Sequence, residues 1–152
     1  MISQTVEYAL RAVVTLAQNS GRPVTSREIA QITKVPAAYL SKLMQGLVRG
    51  GIVHSQRGLH GGFVLTRDPD ELSLWDIIEV VEPIQRIQEC PLGIQSHGTM
   101  LCPLHRRLDS ALATIETIFR ETTLGQLLAQ PDSVTPLCER RDLVALEAPR
   151  SK

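Results

Sequence analysis

The sequence predicts a mainly α-helical protein with a small β-hairpin wing, that is, a winged helix-turn-helix followed by one long helix. Three observations predict this fold. Two short amphipathic segments meet at a tight turn, a glycine-rich hairpin pattern follows them, and an apolar stripe at near-heptad spacing lies further along the chain. The length of 152 residues suits one compact unit with an arm and leaves too little room for most two-domain enzymes.

The composition excludes several classes of protein. Hydrophobic residues make up 43% and charged residues 21%, which is typical of a globular chain and not of a disordered one. No apolar stretch is long enough to span a membrane, and 3 cysteines are an odd set for a secreted disulfide framework, so we expect a cytoplasmic protein. Aromatic residues are only 3%, which leaves little material for stacking on single-stranded nucleic acid.

Spacing and capping signals predict the first two helices. Apolar residues recur at helical spacing over residues 3–18, and Gly21 and Pro23 end that run. Thr25 and Glu28 then stand three residues apart, which is the capping-box pattern that starts a helix. One face of this second helix is apolar and carries Ile29, Ala30 and Ile32.

A third helix is predicted directly after the second. Pro36 suits a first helical position, because its missing N–H costs no hydrogen bond there, and Gly50 ends the helix after Arg49. The apolar residues expected to face the core are Leu40, Leu43, Met44, Leu47 and Val48. The other side of the helix carries small and polar residues, namely Ala37, Ala38, Ser41, Lys42 and Gln45.

Two β-prone runs around a glycine-rich turn predict the hairpin. Residues 52–55 and 63–65 form the runs. The turn between them carries Gly58, Gly61 and Gly62. Helix, turn, helix and hairpin together make a winged helix-turn-helix, whose third helix suits the major groove of DNA. The glycines would let the tip follow a phosphate backbone, and Arg57 could enter the minor groove.

Charge is segregated along the chain although its total is zero. Residues 25–66 hold five basic residues and one acidic residue, a balance of +4. Residues 67–90 hold seven acidic residues and two basic ones, a balance of −5. A basic segment that coincides with the predicted winged helix favours contact with phosphates, and a merely solvated face is the alternative.

The second half of the chain is predicted to contain a loop and one long helix. Ser73 caps a helix that ends before Pro83, and residues 84–100 form an irregular loop. An apolar stripe then predicts a helix of roughly twenty residues. The stripe consists of Leu101, Leu104, Leu108, Ala111, Ile115, Ile118 and Thr122. A last short helix, residues 124–129, follows its threonine cap.

The stripe predicts a homodimer. A protein that reads a two-fold duplex site gains from dimerising, and a long helix suits that role, although the stripe could instead pack on the first helix. We therefore expect four parts along the chain. They are a winged helix-turn-helix DNA-binding domain (1–83), a cysteine-bearing sensor loop (84–100), a dimerisation helix with a short terminal helix (101–130) and a flexible tail (131–152). Cys138 lies in the tail and is expected to have no specific role.

Several short stretches resemble a known family. They are Val6-Glu7-Tyr8-Ala9-Leu10-Arg11-Ala12, Tyr39-Leu40, the arginine-glycine wing motif at 57–65 and Cys-Pro-Leu-His at 102–105. Over about residues 1–130 the chain resembles the Rrf2 family of bacterial winged-helix transcription regulators. The resemblance implies a homodimer, crossed through its long helix, that binds palindromic promoter DNA. The residues expected at the DNA are Ser26, Pro36, Ala37, Ala38, Tyr39, Ser41, Lys42, Arg49, Arg57, Gly58 and His60.

The resemblance also implies a cofactor in the loop. Family members that sense iron or nitric oxide hold an iron–sulfur cluster there with three cysteines at roughly six-residue spacing. Cys90 and Cys102 match the outer positions, whereas Ser96 occupies the middle one, and a hydroxyl is a poor iron ligand. His105 lies on the same helical face as Cys102, and Glu7 matches an acidic residue that some relatives donate from the other subunit. Together these side chains predict a mixed-ligand two-iron two-sulfur cluster.

Simpler roles are open for the same side chains. Glu7 and Arg11 are spaced for a helix salt bridge, and His105 could be solvated. Cys90 and Cys102 could be inert or form a reversible thiol pair. A metal-free regulator of the same fold, controlled by thiol oxidation or by a partner protein, is therefore the alternative function. An enzyme with Cys102 as nucleophile and His105 as base is discounted, because no oxyanion loop or carboxylate pair accompanies them.

Overall fold

Along the described chain, three helices and a hairpin come first and three further helices follow. The structure is a computed structural model and describes residues 2–94, 100–130 and 136–137. Its helices are α1 (Gln4–Gln18), α2 (Ser26–Thr33), α3 (Ala37–Arg49), α4 (Leu74–Val81), α5 (Pro103–Glu121) and α6 (Leu124–Leu128). The antiparallel strands of the wing are β1 (Val53–Gln56) and β2 (Gly62–Leu65), and a single 3₁₀ turn (Pro69–Glu71) precedes α4. The predicted mainly helical fold with a β-hairpin wing is confirmed.

Capping side chains set where the helices begin. Ser3 caps α1 by accepting a backbone N–H of its first turn. At α2 the backbone N–H of Glu28 donates to Thr25 Oγ1 at 3.2 Å, and the N–H of Thr25 donates to the Glu28 carboxylate at 2.8 Å, which confirms the predicted capping box. Pro36 is the N-cap of α3 rather than its first residue, so this helix begins one position later than predicted.

The core lies where α1, α2, α3 and α4 meet the hairpin. Four of the apolar residues that α3 was predicted to turn inward are buried, and Val48 is half-buried. The largest fully buried apolar side chains are Ile29, Leu40, Met44, Leu47, Leu72, Ile77, Ile78, Leu124, Val13, Val24 and Val53. Burial of an aliphatic side chain of this size contributes about 1.5–3 kcal/mol each to folding, so this set is the main source of stability.

The apolar face of α2 differs from the predicted one at a single position. Ile29 is buried and Ala30 is half-buried, but Ile32 is 40% exposed. Thr33 takes its place in the core, and its Oγ1 donates to the carbonyl of Ile29 at 2.6 Å. That hydrogen bond satisfies the buried hydroxyl, so a polar residue is tolerated there while the isoleucine lies at the edge of the face.

β2 joins the hairpin to the segment before α2 by backbone pairing. Gln56 pairs with Gly62 at the outer end of the two strands. Val24 and Phe63 exchange two backbone hydrogen bonds of 3.0 and 2.8 Å, so the segment before α2 pairs with the hairpin as well. Gly62 permits this approach, because a Cβ at that position would lie 2.7 Å from the carbonyl oxygen of Val24.

The short last helix packs on the winged-helix core. The N–H of Leu74 donates to the carbonyl of Thr122 at 2.9 Å, and the N–H of Leu124 donates to the carbonyl of Leu72 at 3.0 Å. Leu124 is fully buried among the first helices. The chain after α5 therefore returns to the first part of the protein, although the sequence grouped it with the long helix. The division of the chain into domains stays a prediction.

The long helix α5 is the least covered element. It has 19 residues, and none of those is buried in the structure as described. Within the predicted apolar stripe, Leu104, Leu108, Ala111 and Ile118 are exposed, and Leu101, Ile115 and Thr122 are half-buried. An apolar stripe of this length is a surface that a second helix can cover. No helix in the described part of the chain, α5 included, has the length and apolar character needed to cross a bilayer.

Candidate DNA-binding surface and effector site

The outer side of α3 and the tip of the wing carry the residues that were predicted to contact DNA. Every one of them is exposed, namely Ser26, Pro36, Ala37, Ala38, Tyr39, Ser41, Lys42, Arg49, Arg57, Gly58 and His60. The first turn of α3 begins with two alanines, whose small side chains allow the backbone of the helix to approach the floor of a groove. This surface is therefore accessible to a ligand.

Contacts from α1 hold Tyr39 in place. Its hydroxyl lies 2.5 Å from Oγ1 of Thr5, and its ring meets the ring of Tyr8 edge-on with centroids 5.5 Å apart. The guanidinium of Arg11 lies over the ring of Tyr8, 5.6 Å from its centroid. These contacts connect the first turn of α3 to α1 and orient the tyrosine. The sequence analysis did not find them, because Thr5 and Tyr39 are 34 residues apart and no local pattern joins them.

Glycine shapes the wing tip. Gly58 has a φ of +109°, a conformation that other residues rarely adopt, and a Cβ at Gly61 would lie 2.5 Å from a backbone oxygen of β1. The tip therefore projects Arg57, Leu59 and His60 outward, and Leu59 is 95% exposed. Arg57 has no ion-pair partner among the described residues, so its guanidinium is available to phosphates or to a minor groove.

The local charges of this surface favour an anionic ligand. Lys42 and Arg49 make no ion pair within the described residues. Glu28, the one acid of the basic segment, lies 3.1 Å from Arg22. Hydrogen bonds from the backbone and the hydroxyl of Thr25 and from Arg22 hold the pKa of Glu28 below its ordinary value. The acid is thus engaged by its neighbours, while the bases of α3 remain open to phosphate.

Cys102 and His105 come together at the start of α5. Cys102 is the N-cap of the helix and His105 lies in its first turn, so the two residues share a face as predicted. The distance from Cys102 Sγ to His105 Nδ1 is 3.3 Å, and Cys102 is half-buried. A thiol and an imidazole at this distance can share a hydrogen bond, and both are metal-ligand types.

The other predicted cofactor ligands are not part of that contact. Cys90 is a buried free cysteine. Glu7 is bound by Arg11, whose Nε donates to Oε1 of the carboxylate at 2.9 Å, as the simpler of its two interpretations predicted. Ser96 and Cys138 lie outside the described residues. Within the described part of one chain, no group of three His, Cys, Asp or Glu side chains is placed to hold a metal ion.

An ion pair anchors the segment before Cys90 to α5. Nε and Nη2 of Arg86 each donate to the carboxylate of Asp109 at 2.6 Å, and the N–H of Ile87 donates to the same group at 2.9 Å. The arginine bonds hold the pKa of Asp109 below its ordinary value, and the carboxylate raises the pKa of Arg86. No sequence signal marked this pair, because its members are 23 residues apart and lie in different elements.

Replacing Asp109 with asparagine is expected to lower the Tm at neutral pH. The pKa of this carboxyl is depressed in the folded protein, so the charged form stabilises the fold above the unfolded pKa of about 3.9. That stabilisation is lost as the pH falls through the folded pKa. Thermal unfolding followed by circular dichroism at a series of pH values should show the two Tm curves converging at acid pH.

A matched control for this series is Glu121→Gln. Glu121 is an exposed carboxylate near the end of the same helix and has no ion-pair partner in the described part of the chain. The Tm of Glu121→Gln should equal that of the wild type at every pH. A constant Tm difference between Asp109→Asn and the wild type down to strongly acid pH would contradict the role given to the ion pair.

The architecture and its exposed surface define a class of protein, the winged helix-turn-helix DNA-binding proteins. Comparison with known proteins agrees with that class. The family model described as Rrf2: Iron-dependent Transcriptional regulator matches residues 2–130. An HTH-type transcriptional regulator of Aquifex aeolicus is 34% identical over 84% of this chain and 91% of its own length.

Solved structures are similar over the same region. CymR, the global cysteine regulator of B. subtilis, has a TM-score of 0.72 and 30% identity and covers 87% of this chain and 98% of its own. The T. potens IscR structure has a TM-score of 0.71 and 28% identity and covers 84% of this chain and 85% of its own. The chain belongs to the Rrf2 family of transcriptional regulators. The resemblance seen in the sequence is confirmed, as is the expectation of a regulator rather than an enzyme.

Proposed function

We propose that the protein is a cytoplasmic homodimer that binds palindromic promoter DNA through α3 and the wing. The observation that carries this proposal is the combined exposure of three features: the small N-terminal residues of α3, its two bases, which make no ion pair with any described residue, and the glycine-shaped wing tip. In this arrangement Ala38, Tyr39 and Ser41 face base edges in the major groove, and Arg57 enters the minor groove. Lys42 and Arg49 contact phosphates.

The dimer is proposed to form through α5. The stripe on this helix is exposed in one chain, and a second copy related by a two-fold axis would cover it with the same stripe. A palindromic site has the same symmetry, so each copy would place one α3 in one half-site. Because both recognition helices are needed at once, the geometry of the dimer would control the affinity for DNA.

Replacing Lys42 or Arg49 with alanine is expected to weaken binding to an operator and to random duplex DNA alike. Phosphate contacts position the protein but carry no sequence information, so affinity falls while specificity stays. Each variant should also reduce the slope of log K against log salt by about one unit. Fluorescence anisotropy at several salt concentrations, with an operator selected by the protein from random duplexes, measures both quantities.

Arg106→Ala is the matched control for these two variants. Arg106 is an exposed base of α5 on the side of the helix opposite the stripe, outside both the proposed DNA surface and the proposed dimer surface, and its loss removes the same charge. Its variant should keep the wild-type affinity and salt slope. Unchanged binding by both Lys42→Ala and Arg49→Ala, with operator and with random DNA, would exclude α3 as the DNA-contacting helix.

We further propose that the start of α5 and the loop before it form the effector site. In the first version, Cys90, Cys102 and His105, with Glu7 of the partner subunit, hold a two-iron two-sulfur cluster. The donor chemistry fits, since thiolates, imidazole and carboxylate all ligate iron, and the contact between Cys102 and His105 already brings two of these donors together. A bound cluster would supply a centre that responds to iron–sulfur, redox or nitric oxide status.

The second version needs no metal. The thiol of Cys102 is half-buried and lies 3.3 Å from Nδ1 of His105, and Glu7 is engaged by Arg11 rather than free to ligate. A thiolate is the form that reacts with oxidants and with disulfides. Oxidation of Cys102 would then change the conformation of the chain at the start of α5, next to the proposed dimer surface. This version is favoured by the absence of a three-donor group within the described residues of one chain.

Iron and acid-labile sulfide per monomer, measured on protein purified without oxygen, separate the two versions. The first predicts about two irons and two sulfides per monomer and a visible absorption spectrum. Cys90→Ala and Cys102→Ala should then both lose iron, whereas Cys138→Ala should retain it. Colourless, iron-free protein that binds the operator only after thiol reduction would establish the second version instead.

A further inference from the structure

One glycine of α3 has no steric reason within the described chain. Of the nine described glycines, five have a positive φ, a conformation that other residues rarely adopt. Three more are crowded, since a Cβ at Gly50, Gly61 or Gly125 would lie 2.1, 2.5 or 1.6 Å from a neighbouring atom. Gly46 has neither property, because it lies inside a regular helix and a Cβ there meets no described atom within 4 Å.

Glycine is an unfavourable residue at this position. Inside a helix it is the least favourable residue after proline, because its backbone loses the most conformational freedom on folding. Glycine is useful where another group must approach the backbone closely, and no described group of this chain does so at Gly46. The side of α3 that carries Gly46 is therefore a candidate for close contact with another molecule.

Gly46 lines a groove between α3, the start of α1 and the end of α4. The groove has a volume of about 310 Å³. Its apolar lining consists of Leu43, Val80 and Val81. The remaining described residues that line it are polar or basic and none is acidic, namely Thr5, Tyr39, Lys42 and Arg49. This composition favours an anionic occupant.

The two bases of the groove flank the glycine on one face of α3. Lys42 lies four positions before Gly46 and Arg49 three positions after it, and residues with this spacing are neighbours on a helix. The rise of 1.5 Å per residue places the two bases about 10 Å apart along the helix axis, with Gly46 between them. Both are exposed, and neither makes an ion pair with any described residue.

We propose that a phosphodiester of the DNA backbone lies against Gly46, between Lys42 and Arg49. This inference rests on the proposed function and deepens it, because it assigns the point at which α3 and one DNA strand approach most closely. The two bases bind phosphate oxygens from either side, and the missing Cβ leaves room for the sugar–phosphate chain. Ser41 directly precedes Lys42, so this face of α3 borders the face proposed to meet base edges.

Gly46→Ala is expected to make the protein more stable and its DNA binding weaker. The Tm should rise by about 2–4 °C, because alanine is the better helix former. The affinity for the operator and for random duplex DNA should fall at least about tenfold, because the new methyl group occupies the space of the phosphodiester. Gly46→Leu should weaken binding further. Circular dichroism measures the Tm, and fluorescence anisotropy measures the affinity.

The salt dependence separates this steric effect from the loss of a charge. Gly46→Ala removes no charge, so the slope of log K against log salt should equal that of the wild type. Lys42→Ala should reduce the slope. Thr117→Leu is the control for added bulk, since Thr117 is exposed on α5 outside the proposed DNA and dimer surfaces. That variant should bind DNA as the wild type does.

Operators with a single uncharged methylphosphonate locate the phosphate. The wild type should lose affinity when the contacted phosphate is replaced. Lys42→Ala and Arg49→Ala should each be less sensitive than the wild type to replacement of the same phosphate or of its neighbour on that strand, because each variant has already lost the contact. Gly46→Ala should be less sensitive at that place as well.

Four results would overturn the inference and leave the proposed function standing. They are wild-type affinity of Gly46→Ala for both duplexes, a Tm of Gly46→Ala below that of the wild type, an equal loss of affinity in Thr117→Leu, and a methylphosphonate pattern in which Gly46→Ala shares no phosphate with either base. A wild-type protein that binds no duplex DNA would overturn the proposed function and this inference with it.

Discussion

Replacing Leu108 with glutamate is expected to leave the protein monomeric and to lower its affinity for a palindromic operator by about 10²–10⁴-fold. Leu108 lies on the exposed stripe of α5, and a charge there would be buried without a partner if two copies paired through this helix. A monomer has one recognition helix and loses the gain from binding two half-sites at once. Sedimentation velocity measures the association state, and anisotropy measures the affinity for the operator.

Thr117→Glu is the control for this experiment. Thr117 is exposed on the same helix but points away from the stripe, so the same new charge should leave both the dimer and operator binding intact. The fold of both variants should be unchanged, since α5 has no buried residue in the described chain. A Leu108→Glu protein that remains a dimer with wild-type affinity would exclude the stripe as the interface.

Replacing Gly62 with alanine is expected to detach the wing and to destabilise the protein by about 2 kcal/mol or more. The new Cβ would lie 2.7 Å from the oxygen and 2.8 Å from the carbon of the Val24 carbonyl, and backbone atoms cannot move aside as a side chain can. The two hydrogen bonds between Val24 and Phe63 would be lost. Urea unfolding should show the loss of stability, and the contribution of Arg57 to DNA binding should disappear.

Gly46→Ala is the same chemical change at a permissive position. Gly46 lies within α3, and a Cβ there meets no atom within 4 Å. Alanine is the better helix former by about 0.8–1 kcal/mol, so this variant should be more stable than the wild type. The same substitution is thus expected to destabilise the protein at position 62 and to stabilise it at position 46. Equal stability of Gly62→Ala and the wild type would show that the wing is not held by its pairing with residue 24.

Local signals accounted for most of the secondary structure. Capping boxes depend on residues three positions apart, and the structure has them at Thr25 and Ser73, the two caps that the sequence predicted. The glycine-rich turn and the stripe of α5 are equally local, so the hairpin and the long helix were predictable. Ile32 was predicted on the apolar face of α2 with Ile29 and Ala30 but is 40% exposed, while Thr33 is buried because its hydroxyl is satisfied by a hydrogen bond inside the fold.

The candidate sites were less predictable than the fold. The pair Cys102 and His105 was foreseen because three positions on a helix share a face, and the structure brings the two together. The contacts that hold Tyr39 and the segment before Cys90 were not foreseen. They join residues 34 and 23 positions apart, and sequence patterns carry no distance information at that range.

Local patterns in the chain were enough to predict the order and type of the elements and the family. These features depend on periodicity, capping and composition, which act over a few residues. The return of the last helix to the first core and the pairing of Arg86 with Asp109 became visible in the folded chain alone. Those outcomes depend on which distant surfaces meet, and packing of the whole chain determines that.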